Sequence, residues 1–150
     1  MAPFSTSTEV DRPAHEVFDY ATDPDRFPEW QQGVVSGHLE ADGEPGVGAR
    51  CVTTRRIGFA DREVVSELTR LEPPTAWGVR GVEGPIRAQV DLTVEALGAH
   101  RSRLTIVVDF QGRGIGRVVV PLGVRRSARK EMPGNLARLK ERVEATGGDA

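Results

Sequence analysis

Residues 88–95 read Ala88-Gln89-Val90-Asp91-Leu92-Thr93-Val94-Glu95, and residues 103–110 read Arg103-Leu104-Thr105-Ile106-Val107-Val108-Asp109-Phe110. Side chains of a β-strand point alternately to its two faces. Ala88, Val90, Leu92 and Val94 therefore share one face, and Leu104, Ile106, Val108 and Phe110 share one face of the next strand. The opposite positions are mostly polar. Gly98-Ala99-His100-Arg101 sits between the runs as a turn. The pair reads as an antiparallel hairpin with one dry and one wet face, and the dry face needs a cover.

Working backward, strand-like runs cover Val34 to Ala41, Val47 to Ile57, Asp61 to Leu71, Ala76 to Val82, Ile86 to Leu97 and Ser102 to Gln111. Between them stand Gly- and Pro-rich clusters such as Asp42-Gly43-Glu44-Pro45-Gly46 and Glu72-Pro73-Pro74-Thr75, the punctuation of a meander. Phe4 to Val10 adds a strand at the front. Pro13 then suits a first helical turn, with Asp11 or Arg12 as the cap, and Ala14, Val17, Phe18 and Ala21 recur at helical spacing. Pro24 to Trp30 makes a second short helix with Phe27 and Trp30 on one side.

The cover comes last. From Pro121 to about Ala145, the residues Val124, Ala128, Met132, Leu136, Leu139 and Val143 recur at steps of three and four, one apolar helical stripe. Pro133-Gly134 interrupts this run and predicts a kink. The order is one strand, two short helices, six strands and a long helix. It predicts a single domain over residues 1–150, with residues 146–150 as a frayed tail.

Composition bounds the function. A chain of 150 residues buries roughly 68–70% of its unfolded surface, so it needs no covalent staples. The single Cys51 cannot form an internal disulfide or a Cys-rich metal site. His15, His38 and His100 are scattered, without the close pair that a 2-His-1-carboxylate iron site requires. No metal and no cofactor is expected. No apolar run is long enough to span a bilayer and no signal peptide is visible, which predicts a cytoplasmic protein. The net charge of −2 hides an asymmetry: residues 113–142 hold nine basic and two acidic residues, +7, which leaves −9 elsewhere. A basic amphipathic helix can touch anionic lipid or nucleic acid. Here its apolar stripe is needed to close the sheet, so neither nucleic-acid binding nor stable membrane insertion is expected, and the basic face offsets the acidic remainder.

Several stretches carry a family resemblance. They are Val10-Asp11-Arg12-Pro13-Ala14-His15-Glu16-Val17-Phe18, then Phe27-Pro28-Glu29-Trp30, Gly48-Ala49-Arg50, Leu71-Glu72-Pro73-Pro74, and Leu136-Ala137-Arg138-Leu139-Lys140 on the last helix. In this order the chain resembles the polyketide cyclase/dehydrase-like branch of the START-like superfamily, also called SRPBCC proteins. The resemblance implies an α+β helix-grip fold of the START and Bet v 1-like type. In that fold a curved seven-stranded antiparallel sheet grips a long C-terminal helix, with two short helices after the first strand. It also implies a cavity between sheet and helix that takes lipids, polyketides, quinones or other apolar molecules; a minority of members catalyse cyclisation or dehydration. The Gly-rich link Gly112-Arg113-Gly114-Ile115-Gly116-Arg117 and the Pro133-Gly134 pair depart from the commoner pattern.

The resemblance puts Trp30 and Phe27 at the cavity mouth. Trp77 on a central strand and Phe59 at a hairpin complete the aromatic candidates. Leu92, Val94, Ile106, Val108 and Phe110 on the dry face, with Met132 and Leu136 opposite, either line the cavity or fill it. Arg55, Arg80 and Ser66 lie on strands that alternate less cleanly and are candidates for inward polar groups; either Arg could hold a carboxylate or enolate, or snorkel to solvent. Cys51 reads as a small buried hydrophobe. Acid–base catalysis needs a positioned proton donor or acceptor, and the dry face of the last hairpin supplies none. Binding of a small apolar or aromatic molecule is thus preferred over a cyclase or dehydratase activity. A third reading is a partner-binding protein with a filled pocket. The oligomeric state stays open between monomer and homodimer.

Overall fold

The computed structural model describes residues 4–40, 46–57, 59–84, 88–110 and 122–147. Strand β1 (Phe4–Val10) leads into helix α1 (Ala14–Ala21), a 3₁₀ turn (Pro24–Arg26) and helix α2 (Phe27–Trp30). Six strands follow: β2 (Val34–Leu39), β3 (Arg50–Ile57), β4 (Ala60–Glu72), β5 (Ala76–Glu83), β6 (Ala88–Gly98) and β7 (Arg101–Phe110). Helix α3 (Leu122–Gly147) closes the chain. The seven strands form one antiparallel, curved sheet in the order β1-β7-β6-β5-β4-β3-β2. This is the helix-grip architecture. The link at residues 112–117 and the Phe110 side chain lie outside the described residues.

The predicted hairpin is in register, with Val90 opposite Val108, Leu92 opposite Ile106 and Val94 opposite Leu104. Leu104 continues to Thr8 on β1, and Leu92 to Trp77 on β5. Opposed residues share a face, so one layer of apolar side chains runs across the inner surface. Leu136, Leu139 and Val143 of α3 seal it, all at most 2% exposed. Full burial of such a side chain stabilises by about 1.5–3 kcal/mol.

One expectation changes and one open point closes. Helix α1 starts at Ala14 with Pro13 as its cap, and no side chain caps it. Asp11 is drawn elsewhere: its backbone N–H donates to Glu144 on α3 at 2.9 Å. Helix α3 runs through Pro133 without a break. Pro133 and Gly134 both lie on its exposed side, where the ring meets water and not the sheet. The buried stripe on the other side keeps the flanking turns in place.

Candidate functional site

The inner face is not uniformly closed. At the end where β1 finishes, Val10, Leu104, Val94, Leu139 and Val143 are nearly inaccessible. Toward the other end, where β1 begins and β3 meets β4, access grows. Phe4, Ala88, Val90 and Met132 remain only partly buried although they pack against the core. Ser66 points inward as well, being opposite the core residue Cys51, and is also partly accessible. Leu39 and Leu71, at the far end of the inner face, are partly buried as well, so the accessible surface near Arg55 is a local feature of the face.

Arg55 sits beside this accessible surface. Its partner across the strands is Arg62, and its Nη2 donates to Oε1 of Gln31 at 3.2 Å, just beyond α2. Burial pulls its guanidinium below the usual arginine value, while Cys51 and Glu131 act in the opposite direction. The group is charged all the same, since arginine stays protonated in proteins. Glu131 projects from α3 and is close enough for its charge to act on Arg55. A cation half-withdrawn from water beside apolar surface can hold an oxygen-bearing group through its fork of donors.

Burial pushes the Cys51 thiol up to about 11, against the pull of Arg55. The thiol is therefore protonated at neutral pH and a poor nucleophile.

Helix α2 forms the wall next to Arg55. Phe27 stands edge-on to Trp30 with ring centroids 6.0 Å apart, and edge-on to Trp77 at 6.2 Å. The three rings are 5%, 2% and 6% exposed, so they are packed into the core and not spread over an open surface. Trp30 is tied to α3 through its carbonyl, which accepts from Nη1 of Arg138 at 3.2 Å. The next backbone N–H but one, at Gln32, donates to Oδ1 of buried Asn135 at 3.0 Å. Tyr20 joins α1 to α2 by donating to Glu29 at 2.7 Å.

Of the residues singled out in the sequence, Phe27, Trp30, Trp77, Leu92 and Leu136 come together in one cluster, with Met132 packed against it. Arg55 borders this cluster through Gln31. Two do not join. Arg80 is exposed, because on β5 the buried inner positions are Trp77 and Val79, and Arg80 falls on the outer face opposite Glu67 and Gln89. Phe59 stands fully in solvent at the β3–β4 turn. Gly78 also belongs to the outer face, where a side chain would meet Asp91 and Thr69, so it opens no room inside. Gln31 and Glu131 were missed. Neither carries a sequence signal: they flank Arg55 only because α2 and α3 cross that end of the sheet.

A concavity lies at the free edge of β1. It measures about 340 Å³ and is lined by Thr6, Thr8, Leu136, Lys140 and Glu144 among others. Nζ of Lys140 donates to the Glu9 carbonyl at 3.0 Å and to Glu144 at 2.6 Å. Among the described residues no group of His, Cys, Asp and Glu could hold a metal ion, and no helix is long and apolar enough to cross a membrane.

Comparison with known proteins places this geometry. Residues 1–144 match the family described as polyketide cyclase / dehydrase and lipid transport. Among curated proteins no sequence matches significantly. Among solved structures, the Zhui aromatase/cyclase from Streptomyces sp. R1128 superposes with a TM-score of 0.76 at 14% identity, over 95% of this chain and 93% of that one. A START superfamily protein from Mycobacterium smegmatis gives 0.73 at 17% identity, over 96% and 98%. The di-domain ARO/CYC BexL from the BE-7585A biosynthetic pathway gives 0.72 at 18% identity, over 96% of this chain and 47% of that one. At such identities these structures share the fold, and the match along residues 1–144 decides the family: the chain belongs to the polyketide cyclase / dehydrase and lipid transport family.

Proposed function

We propose that the protein binds a small, largely apolar molecule between the sheet and α3, with Arg55 as its polar anchor. The observation that carries this reading is the accessible inward-facing surface on the Arg55 side of the sheet. Ala88, Val90, Ser66 and Met132 there keep accessible surface beside the buried Val34 and Val108. An apolar site with a few placed polar groups is the usual form of a small-molecule pocket. Several solved structures of the same fold are named as aromatase/cyclases or ARO/CYC proteins, which supports a ligand of polyketide-like or aromatic character. A cyclase reading is the weaker one here. Arg55 gives up no proton at neutral pH, and the neighbouring thiol is held protonated. Lipid-like ligands fit the same description.

The test is titration with 1-anilinonaphthalene-8-sulfonate, an aromatic body with one anionic end. Saturable one-site binding is expected, weakened at least tenfold in Arg55→Ala, with native circular dichroism in both proteins. Absence of saturable binding to the wild-type chain rejects the reading. Unchanged affinity in Arg55→Ala removes the anchor.

A further inference from the structure

Strand β1 turns part of its main chain toward the concavity of about 340 Å³ that lies between it and α3. Ser7 lines that concavity. Its side chain is on the other face of the sheet, where Oγ lies 3.1 Å from Oγ1 of Thr105, the residue opposite it on β7. What Ser7 presents to the concavity is therefore its N–H and C=O. In an antiparallel ladder a residue points both groups at its partner or both away, in alternation along the strand. The Glu9 carbonyl accepts from Lys140 at 3.0 Å and the Asp11 N–H donates to Glu144 at 2.9 Å, so this parity points away from β7. The close contact between the Ser7 and Thr105 side chains is itself the mark of a pair without ladder bonds. Ser5, Ser7 and Glu9 thus direct their main-chain groups to the free edge.

Helix α3 covers only one end of this edge. Lys140 and Glu144 take the groups of Glu9 and Asp11, while among the described residues no side chain takes those of Ser5 and Ser7. An open edge is a template for another strand. An antiparallel peptide there exchanges two hydrogen bonds with Ser7 and two with Ser5. Its side chains opposite Thr6 and Thr8 fall on the inner face, over Leu136 and Ala137, where small apolar residues fit. Charge sets the rest. Arg129 lies over the Phe4 ring at 5.9 Å, and Glu141 lines the concavity toward the other end. Arg129, Pro133, Ala137 and Glu141 follow at steps of four and share one side of α3. Arg129 and Glu141 are about 18 Å apart along the helix, the length of about five or six residues of strand. A second copy of β1 does not match these charges. With its Ser5 or its Ser7 opposite Ser7, it sets the uncharged Thr8 or Val10 beside Phe4 and Arg129.

We infer that the free edge of β1, with the side of α3 that faces it, docks an extended peptide of a partner protein as an eighth strand antiparallel to β1. The peptide carries Val or Thr on either side of the residue opposite Ser7. It has a basic residue about three positions before that residue, toward Glu141, and an acidic one about three positions after it, toward Arg129. Main-chain bonds to Ser5 and Ser7 supply the affinity, and the two end charges set the direction. The inference does not depend on the ligand reading above.

The test is fluorescence anisotropy of the full chain with a fluorescein-labelled peptide, KSVTVSE, whose Thr falls opposite Ser7. Saturable binding below millimolar concentration is expected. Ser7→Pro removes only the outward N–H, a change that an edge strand accepts, and should weaken binding at least tenfold with circular dichroism unchanged. N-methylation of the peptide's Thr, which removes the donor to the Ser7 carbonyl, should act alike. The charge-reversed peptide ESVTVSK should bind at least fivefold more weakly, and Arg129→Glu should abolish that preference. Arg55→Ala should change none of this, which separates the groove from the ligand site. Absence of saturable binding to the wild-type chain at millimolar peptide overturns the inference. So does binding that ignores N-methylation or does not distinguish the two peptides. A concentration-dependent dimer in sedimentation that Ser7→Pro abolishes, with no peptide bound, gives the edge to a second copy and overturns it too. If Ser7→Pro does not fold, the N-methylated peptide and Arg129→Glu decide.

Discussion

Gly37 on β2 lies so close to Pro24 that a Cβ at position 37 would fall 2.6 Å from the Pro24 carbonyl oxygen. That contact seats the 3₁₀ turn directly on the edge strand. The turn leads straight into α2, so the placement of Phe27 and Trp30 depends on a missing side chain one strand away.

Gly37→Ala should therefore destabilise the fold by about 1–3 kcal/mol, the range for forcing atoms into a packed site. Urea unfolding followed by circular dichroism checks this. A change below 0.5 kcal/mol would mean that the turn shifts away freely, about the level expected of an ordinary surface substitution.

Leu139 is fully inaccessible on the sealed side of α3. Leu139→Ala should cost about 2–5 kcal/mol through lost burial and the cavity left behind. Val47 is 70% exposed, and Val47→Ala should change stability by less than about 0.5 kcal/mol. The contrast, read from urea midpoints at equal slope, tests the assignment of the core.

The Cys51 thiol, pushed up to about 11 by burial, should resist thiol reagents in the native protein at pH 8. Adding denaturant should expose it and release one equivalent of reaction. A native rate equal to that of a free cysteine would contradict its burial.

Acid should weaken the tie between α3 and β1. Burial raises the Glu144 carboxyl, but the Lys140 ammonium and the Asp11 N–H outweigh it and hold the value below the ordinary 4.5. Hydrogen bonding to Arg103 and the nearby Arg101 lower Glu9 in the same way. A depressed carboxylate stabilises above its unfolded value, and that contribution disappears as pH falls through the folded one. Tm should hold between pH 7 and 5 and fall below about 4.5. Glu144→Gln should have a lower Tm at pH 7 and a shallower decline in acid; an unchanged pH profile would count against the tie.

Much of the fold was legible because its deciding segments alternate cleanly. Val90 to Val94 and Leu104 to Val108 fixed a one-sided sheet, and the stripe Met132, Leu136, Leu139, Val143 supplied its cover. The site was legible only in part. Arg55 and Arg80 look alike in sequence, each on a strand of mixed polarity. What separates them is parity within the strand, which places Arg55 with Cys51 inside and Arg80 opposite Glu67 outside. Phe59 was drawn into the candidate set by its aromatic ring, yet its turn projects beyond the sheet. Whether Pro133 breaks the helix was open in the sequence because propensity is local, whereas the buried stripe acts over several turns. Gln31 and Glu131 meet Arg55 through the crossing of distant elements, which no local pattern encodes.

Among the described residues, polar ties join α3 to both α2 and the end of β1. Asn135 and Arg138 reach α2, while Lys140 and Glu144 reach β1. All four lie in the second half of the helix, and Met132, which faces the accessible part of the sheet, lies before them. From Asn135 to Glu144 the helix is thus riveted to two separate walls, so α2 and the end of β1 cannot part from the cover of the sheet independently of one another.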